Sequence, residues 1–306
     1  MEQNIKRYSF QNDSGDAQAI VYRVFHGIEV IYTTVHMNQF DFQQMIAQED
    51  KNYALLHYCQ EGRLEQEIAQ EFFYLMPGDC SIALQNHPKM FQLPLHHYHG
   101  ITISINLNQE SNPLFQYVQS CGYSPLEAFQ HICGDASHIV LRNSVIAKQF
   151  FEALYKIEEA KRLDYLRMKL PELFYRMKHA KTTLDYYDRN LVSKQQVEFV
   201  KNVSIYINEH INDKITIQHL TNHFNVSNTY LQNAFRSVYG MPVISFIRVQ
   251  KMQEAAQILI HTNDTIEMIA QNFGYENESK FSAAFKKIMG DTPGVYRKEH
   301  SKITII

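Results

Sequence analysis

A chain of 306 residues is longer than one hydrophobic core ordinarily needs, so two domains are expected. No run approaches the roughly 18 apolar residues of a membrane helix, and the N-terminal MEQNIKRYSFQNDSGD lacks the apolar stretch of a signal peptide, which points to a cytoplasmic chain with no membrane partner. The net charge of −3 is divided unevenly, with 12 Lys+Arg against 10 Asp+Glu from Leu191 onward and 17 against 22 before it, so the C-terminal part is the basic one.

In chain order, residues from about 19 to 107 read as short β runs punctuated by turns. AIVYRVF, YALLHYC, RLEQEI, FFYLM, CSIALQ and ITISINL are the strand candidates, with turns at Glu61-Gly62 and Pro77-Gly78-Asp79 and Gly100 introducing the last run. Such spacing predicts a β-sandwich or barrel. Beyond Asn143 the period becomes helical in SVIAKQFFEALYKIEEAKRLDYL and PELFYRMKHAKTTLDYY, with Pro171 expected to open the second helix at its first turn. These helices either pack on the β domain or form a dimer. The polar stretch Asp188 to Gln196 reads as a linker.

The region after it repeats itself. Thr216-Ile217, Leu220, Thr221 and Phe224 recur 49 residues later as Thr265-Ile266, Ile269, Ala270 and Phe273. Leu231, Phe235, Arg236 and Gly240 recur 50 residues later as Phe281, Phe285, Lys286 and Gly290, so the second copy carries one inserted residue. Each copy has the make-up of two short helices and a tight turn. The turns are Asn225-Val226-Ser227, with Ser227 as cap, and Gly274-Tyr275-Glu276-Asn277, with Gly274 suited to a left-handed conformation and Asn277 as cap. Apolar staples and a capped second helix describe a helix-turn-helix, here in tandem. A helical bundle accounts for the apolar positions but not for the repeated order of cap, aromatic, basic residue and glycine. SFIRVQKMQEAAQILI reads as one helix between the copies, with Phe246, Val249, Met252, Ala256 and Leu259 inward, a spacer that sets two recognition helices about 34 Å apart on one DNA face.

The side chains left facing outward match DNA. With Tyr230, Leu231, Ala234 and Phe235 assigned to the core, the first copy offers Asn228, Thr229, Gln232, Asn233 and Arg236. Asn and Gln pair with adenine bidentately, and Arg reaches guanine or phosphate. The second copy offers Glu278, Ser279, Lys280, Ser282, Ala283, Lys286 and Lys287, richer in charge and poorer in amides. Base contacts are therefore expected from Asn228, Thr229, Gln232, Asn233, Glu278, Ser279 and Ser282, and phosphate contacts from Ser227, Arg236, Lys280, Lys286 and Lys287, the first copy doing more of the reading and the second more of the anchoring.

From about Val197 to Lys298 the residues resemble the AraC-type (AraC/XylS) transcription regulators, most specifically in IEMIAQNFGYENESKFSAAFKKIMGDTPGVYR. Lys251 stands where the linking helix of that family usually has Arg, Tyr275 replaces the usual Phe, and Ala283 takes a place often held by Arg. The N-terminal half is similar, more loosely, to the cupin-like barrel of such regulators through YALLHYCQEGRLEQE and YLMPGDCSIAL. The resemblance implies an α+β protein in three parts: a cupin-like effector or dimerisation domain over 1–140, a helical connector over 141–190, and an all-α DNA-binding domain of two helix-turn-helix units over 197–300. It further implies a homodimer on double-stranded promoter DNA, activation through RNA polymerase, and control by a small-molecule effector or a partner.

A cupin-type metalloenzyme is the rival reading, since His57, His87, His96, His97 and His99 fall in the β region. His97 and His99 have the spacing of a cupin metal pair, but the next carboxylate, Glu110, comes too late, and Cys59, Cys80, Cys121 and Cys133 form no CxxC pair. No catalytic signature or phosphate-binding glycine loop appears, so no catalytic residue, metal or cofactor is expected. Two readings of the barrel stay open: an effector pocket lined by Tyr53, His57, Arg63, Glu65 and His99, or a side-chain-filled barrel that only dimerises.

Overall fold

A computed structural model describes residues 4–12, 15–37, 52–68, 71–84, 91–108, 112–180 and 192–300. The chain divides into two compact units, Met1–Lys194 and Gln195–Ile306. His87, Glu110 and residues 188–191 of the expected linker lie outside the described residues, while a helix already begins at Lys194 within it. Among the described residues no helix is long and apolar enough to cross a membrane.

The first unit is built on strands β1 (Ile5–Asn12), β2 (Gly15–Phe25), β3 (Ile28–His36), β4 (Tyr53–Gly62), β5 (Leu64–Ile68), β6 (Glu71–Leu75), β7 (Cys80–Leu84), β8 (Phe91–Gln92), β9 (Tyr98–Asn106) and β10 (His138–Leu141). They form a seven-stranded antiparallel sheet in the order β1-β2-β3-β9-β4-β7-β10 and a three-stranded sheet in the order β6-β5-β8. β4 is buried along seven consecutive residues because both its faces are covered. Leu56 and Tyr58 join one core, shared with helices α1 (Pro113–Ser120), α2 (Pro125–Cys133), α3 (Val145–Tyr155) and α4 (Glu159–Lys178). Cys59 joins the other, which includes Leu64 and Leu75 of the small sheet. At the β4–β5 turn Gly62 has φ +80°, and a Cβ there would meet the His97 carbonyl oxygen at 2.2 Å, so only glycine closes this hairpin.

Several boundaries differ from the sequence reading. The break between the two long helices falls at residues 156–158, and Pro171 lies inside α4 instead of opening it. β1, β3, β8 and β10, together with α1 and α2, are additional to the expected elements. α3 and α4 do not stand apart: Phe150, Phe151, Leu166, Leu170 and Phe174 are buried in the core they share with the large sheet. Arg162 of α4 lays its guanidinium 4.2 Å from the Tyr32 ring centroid, holding that helix across β3.

The second unit is all helix: α5 (Lys194–Glu209), α6 (Ile217–Phe224), α7 (Asn228–Tyr239), α8 (Val243–His261), α9 (Ile266–Asn272), α10 (Glu278–Met289) and α11 (Pro293–His300). α8 is continuous, as its periodicity predicts, and buries Phe246, Met252, Ala256 and Leu259, with Val249 only half-buried.

Candidate nucleic-acid interface

The pairs α6–α7 and α9–α10 repeat not only in sequence but in how their ends are satisfied. Each first helix is capped by threonine, Thr216 accepting from His219 N–H and Thr265 from Met268 N–H, both at 3.1 Å. Each ends in a left-handed residue, Asn225 (φ +51°) and Gly274 (φ +78°). The next N–H turns back onto the helix, Val226 onto the Thr221 carbonyl at 3.1 Å and Tyr275 onto the Ala270 carbonyl at 2.9 Å. Ser227 then caps α7 through Tyr230 N–H at 3.1 Å, and Asn277 caps α10 through Lys280 N–H at 2.9 Å. The extra residue of the second copy falls between these bonds, at Glu276, whose carboxylate pairs with Lys280. Leu220, Leu231 and Phe235 in one pair and Ile269, Phe281 and Phe285 in the other are wholly buried, so both second helices have one face fixed inward.

The opposite faces carry the expected side chains. Asn228, Thr229, Asn233 and Arg236 are exposed on α7, and Glu278, Ser279, Lys280, Ala283, Lys286 and Lys287 on α10; Ser227 is exposed at the start of α7. Gln232 and Ser282, at equivalent positions, are half-buried. The Gln232 side-chain oxygen accepts from Val243 N–H at 3.3 Å, tying α7 to α8. Tyr230, expected in the core, is 43% exposed. The buried stripe Leu231, Ala234, Phe235 and Val238 has spacing i, i+3, i+4, i+7, and Tyr230 falls one residue off it. Its ring lies instead 5.2 Å from Phe199 of α5, which itself contacts Phe224. No periodicity in α7 alone announces that aromatic cluster, because its other members come from α5 and α6.

Several signature residues hold the scaffold. Lys251 Nζ donates to the Phe273 carbonyl at 3.3 Å and the Asp213 carbonyl at 3.5 Å, and burial lowers its pKa. Arg297 donates to the Leu259 and Asp264 carbonyls at 3.0 and 2.6 Å. Tyr296 and Tyr275 meet Phe285 and Phe281 edge to face at 5.4 and 5.5 Å. A lysine at 251 thus still reaches two carbonyls, and the Tyr275 ring keeps the aromatic contact expected of Phe.

The five residues named for an effector fall into separate groups. Tyr53, His57, Arg63 and Glu65 are buried. His57 Nδ1 lies 2.9 Å from Thr102 Oγ1, in register with Ser81 of β7. Tyr74 donates to Glu65 at 2.6 Å while the Arg63 guanidinium stands 5.1 Å over the Tyr74 ring. His99 is half-exposed, with its Nδ1 3.2 Å from Glu61 and its Nε2 3.1 Å from His36 Nε2. Tyr53, four residues from His57 along β4, is about 13 Å away at the rise of a strand. Among the described residues no three His, Cys, Asp or Glu side chains gather as a metal would need. Burial raises the pKa of Cys133 to about 12 and pushes those of Cys59 and Cys80 up as well, so these thiols are held protonated.

Residues 220–299 match a family model described as "Helix-turn-helix domain", which defines the second unit as a DNA-binding module of that class. The F1 operon positive regulatory protein of Yersinia pestis is 37% identical over 99 residues, 32% of this chain and 33% of that protein. The HTH-type transcriptional activator AarP of Providencia stuartii is 26% identical over 102 residues, 33% of this chain and 76% of that one. Among solved structures, the C-terminal domain of AraT, a response regulator from Geobacillus stearothermophilus, is 33% identical over 33% of this chain and 84% of its own, with a TM-score of 0.31. Over residues 220–299 the second unit is thus similar to the helix-turn-helix part of AraC-type transcription regulators. The chain spans about a third of the length of the Yersinia relative.

Proposed function

We propose that this chain is a sequence-specific, DNA-binding transcription regulator whose second unit carries two helix-turn-helix units, with α7 and α10 as recognition helices. The observation that carries the reading is the matched capping of the two pairs, which leaves equivalent faces of α7 and α10 turned outward with amides on one and lysines on the other. α7 supplies Asn228, Thr229 and Asn233 to base edges and Arg236 to bases or backbone; α10 supplies Lys280, Lys286 and Lys287 to phosphates, with Glu278, Ser279 and Ser282 near bases. The first unit is a cupin-like sensing or dimerising domain of a cytoplasmic homodimer that activates transcription with RNA polymerase, and its ligand or partner shifts the population of DNA-binding arrangements.

Footprinting of the purified chain on the DNA upstream of its own gene tests this. Protection of two segments about one helical turn apart per subunit is the expected result. Binding no tighter than to unrelated DNA of the same length overturns it.

A further inference from the structure

On the helix side of the large sheet, away from the residues named for an effector, a cavity of about 350 Å³ opens between β4, β7 and helices α3 and α4. Its walls are Leu56, Ile82, Phe150, Phe151, Leu173 and Met177. The two phenylalanines cannot swing in to fill it: Phe151 is stacked on Tyr58 at 4.7 Å, and Phe150 meets Phe151 edge to face at 5.2 Å. The rim is largely apolar on the α3 side, since Val145 and Ile146 line the cavity yet are 61% and 38% exposed, and exposed His179 faces it from the end of α4. Leaving such a hollow unfilled forfeits dispersion contacts along its whole lining, and a greasy rim holds water poorly. Arg176 brings charge to the lining, but its Nε donates to Glu172 and its Nη1 donates to the Gln149 side-chain oxygen at 3.4 Å. An occupant therefore meets a compensated guanidinium and a wall of aliphatic and aromatic carbon.

We propose that this cavity is a binding site for a small, uncharged, predominantly apolar compound of one or two rings, and that such a compound is the effector. The volume sits at the lower end of ordinary ligand pockets and exceeds the roughly 150 Å³ that suffices for benzene. The last turn of α4, with Met177, lines the cavity, as do His179 and Ala180 just after it; α4 is the last described helix before the chain reaches the second unit at Gln195. An occupant thus packs against the stretch of chain through which the first unit is joined to the DNA-binding one. The binding site stands on the cavity alone; its part in control rests on the regulator reading.

The test is a titration of the full chain with N-phenyl-1-naphthylamine, a neutral two-ring probe that brightens in apolar surroundings. Saturable uptake of one probe per chain is expected, weakened about tenfold by Ala147→Phe, which projects a ring into the cavity. Should that variant fail to fold, Val145→Asp decides: it places charge on the rim at the first turn of α3, where a carboxylate suits the helix. The expected effect on control is a changed affinity for the promoter fragment when the probe is bound. Unsaturable uptake, uptake by a folded variant equal to that of the natural chain, or uptake that falls as the chain self-associates overturns the site. Probe binding that leaves promoter affinity unchanged overturns the effector role. A chain that takes up probe but binds no DNA would instead strike at the regulator reading.

Discussion

The side-chain oxygen of Gln232 on α7 accepts the backbone N–H of Val243, the first residue of α8, at 3.3 Å. Pro242 precedes α8 and offers no side-chain cap. The first N–H groups of a helix have no partner within it, so Gln232 caps α8 from another helix. Gln232→Ala is expected to cost the second unit about 1 kcal/mol, seen as a lower unfolding midpoint. Gln232→Glu retains an acceptor and should retain the midpoint. If Ala leaves the midpoint unmoved, the cap contributes nothing and Gln232 is free to read bases.

Base preference should accordingly depend more on Asn233 and Asn228, whose amides face outward. Asn233→Ala is expected to cost about 1–3 kcal/mol on the preferred sequence and to relax discrimination at one base pair, with the unfolding midpoint unchanged. A loss equal on all sequences would assign Asn233 to the backbone instead.

The lysines of α10 should act differently. Lys286 and Lys287 are exposed in the last turn, whereas Lys280 is already paired with Glu276. Lys286→Ala is expected to weaken binding on every sequence and to reduce the salt slope by about 1. Lys280→Ala should do less, because its charge is partly compensated. Titrations from low to high salt distinguish the two, and equal slopes for both variants would refute the difference.

The tandem helix pairs were legible because their information is local. Caps, left-handed turn residues and apolar spacing all lie within a few residues of one another, and Thr216, Asn225, Ser227, Thr265, Gly274 and Asn277 have conformations their types favour. What escaped was contact between elements: Tyr230 on Phe199, Gln232 on Val243, Lys251 on Phe273. The β unit was less legible for a related reason. A strand such as β4, covered on both faces, shows no alternation that says which side His57 faces. Pro171 misled because a proline that ordinarily opens a helix lies here within one, between the buried residues Leu170 and Leu173.

Asp79 joins two turns of the first unit. It is nearly buried, accepts Met76 N–H at 2.9 Å and Asn143 N–H at 3.0 Å, and pairs with Arg142. Asp79→Ala strands two backbone donors and takes the counter-ion from an Arg142 guanidinium that is only 18% exposed and keeps just the Tyr74 carbonyl, a loss of about 3 kcal/mol or more, a large part of the stability of a marginal domain. Asp79→Asn keeps the shape and one acceptor and should lose less. Denaturant unfolding of both variants checks the order; a smaller loss for Ala would show that the carboxylate is not what holds these turns together.

Acid sensitivity should centre on His138. Burial lowers its pKa to about 4, with Arg142 adding to the effect, and among the described residues neither ring nitrogen has a hydrogen-bond partner. The folded state therefore binds fewer protons than the unfolded state between pH 6.5 and about 4. Stability rises with pH wherever the unfolded state holds the extra proton, so it is intact above pH 6.5 and falls as the pH drops through that window. The gap corresponds to at most about 3.5 kcal/mol at about 1.4 kcal/mol per pH unit. His138→Phe, whose ring can pack beside Phe73 as the imidazole does at 4.3 Å, removes this titration. Burial also lowers His96 and His99, so the variant should keep a shallower acid loss. Urea midpoints measured from pH 7 to pH 4 should converge less steeply for the variant than for the natural chain. Parallel curves would place the acid sensitivity elsewhere.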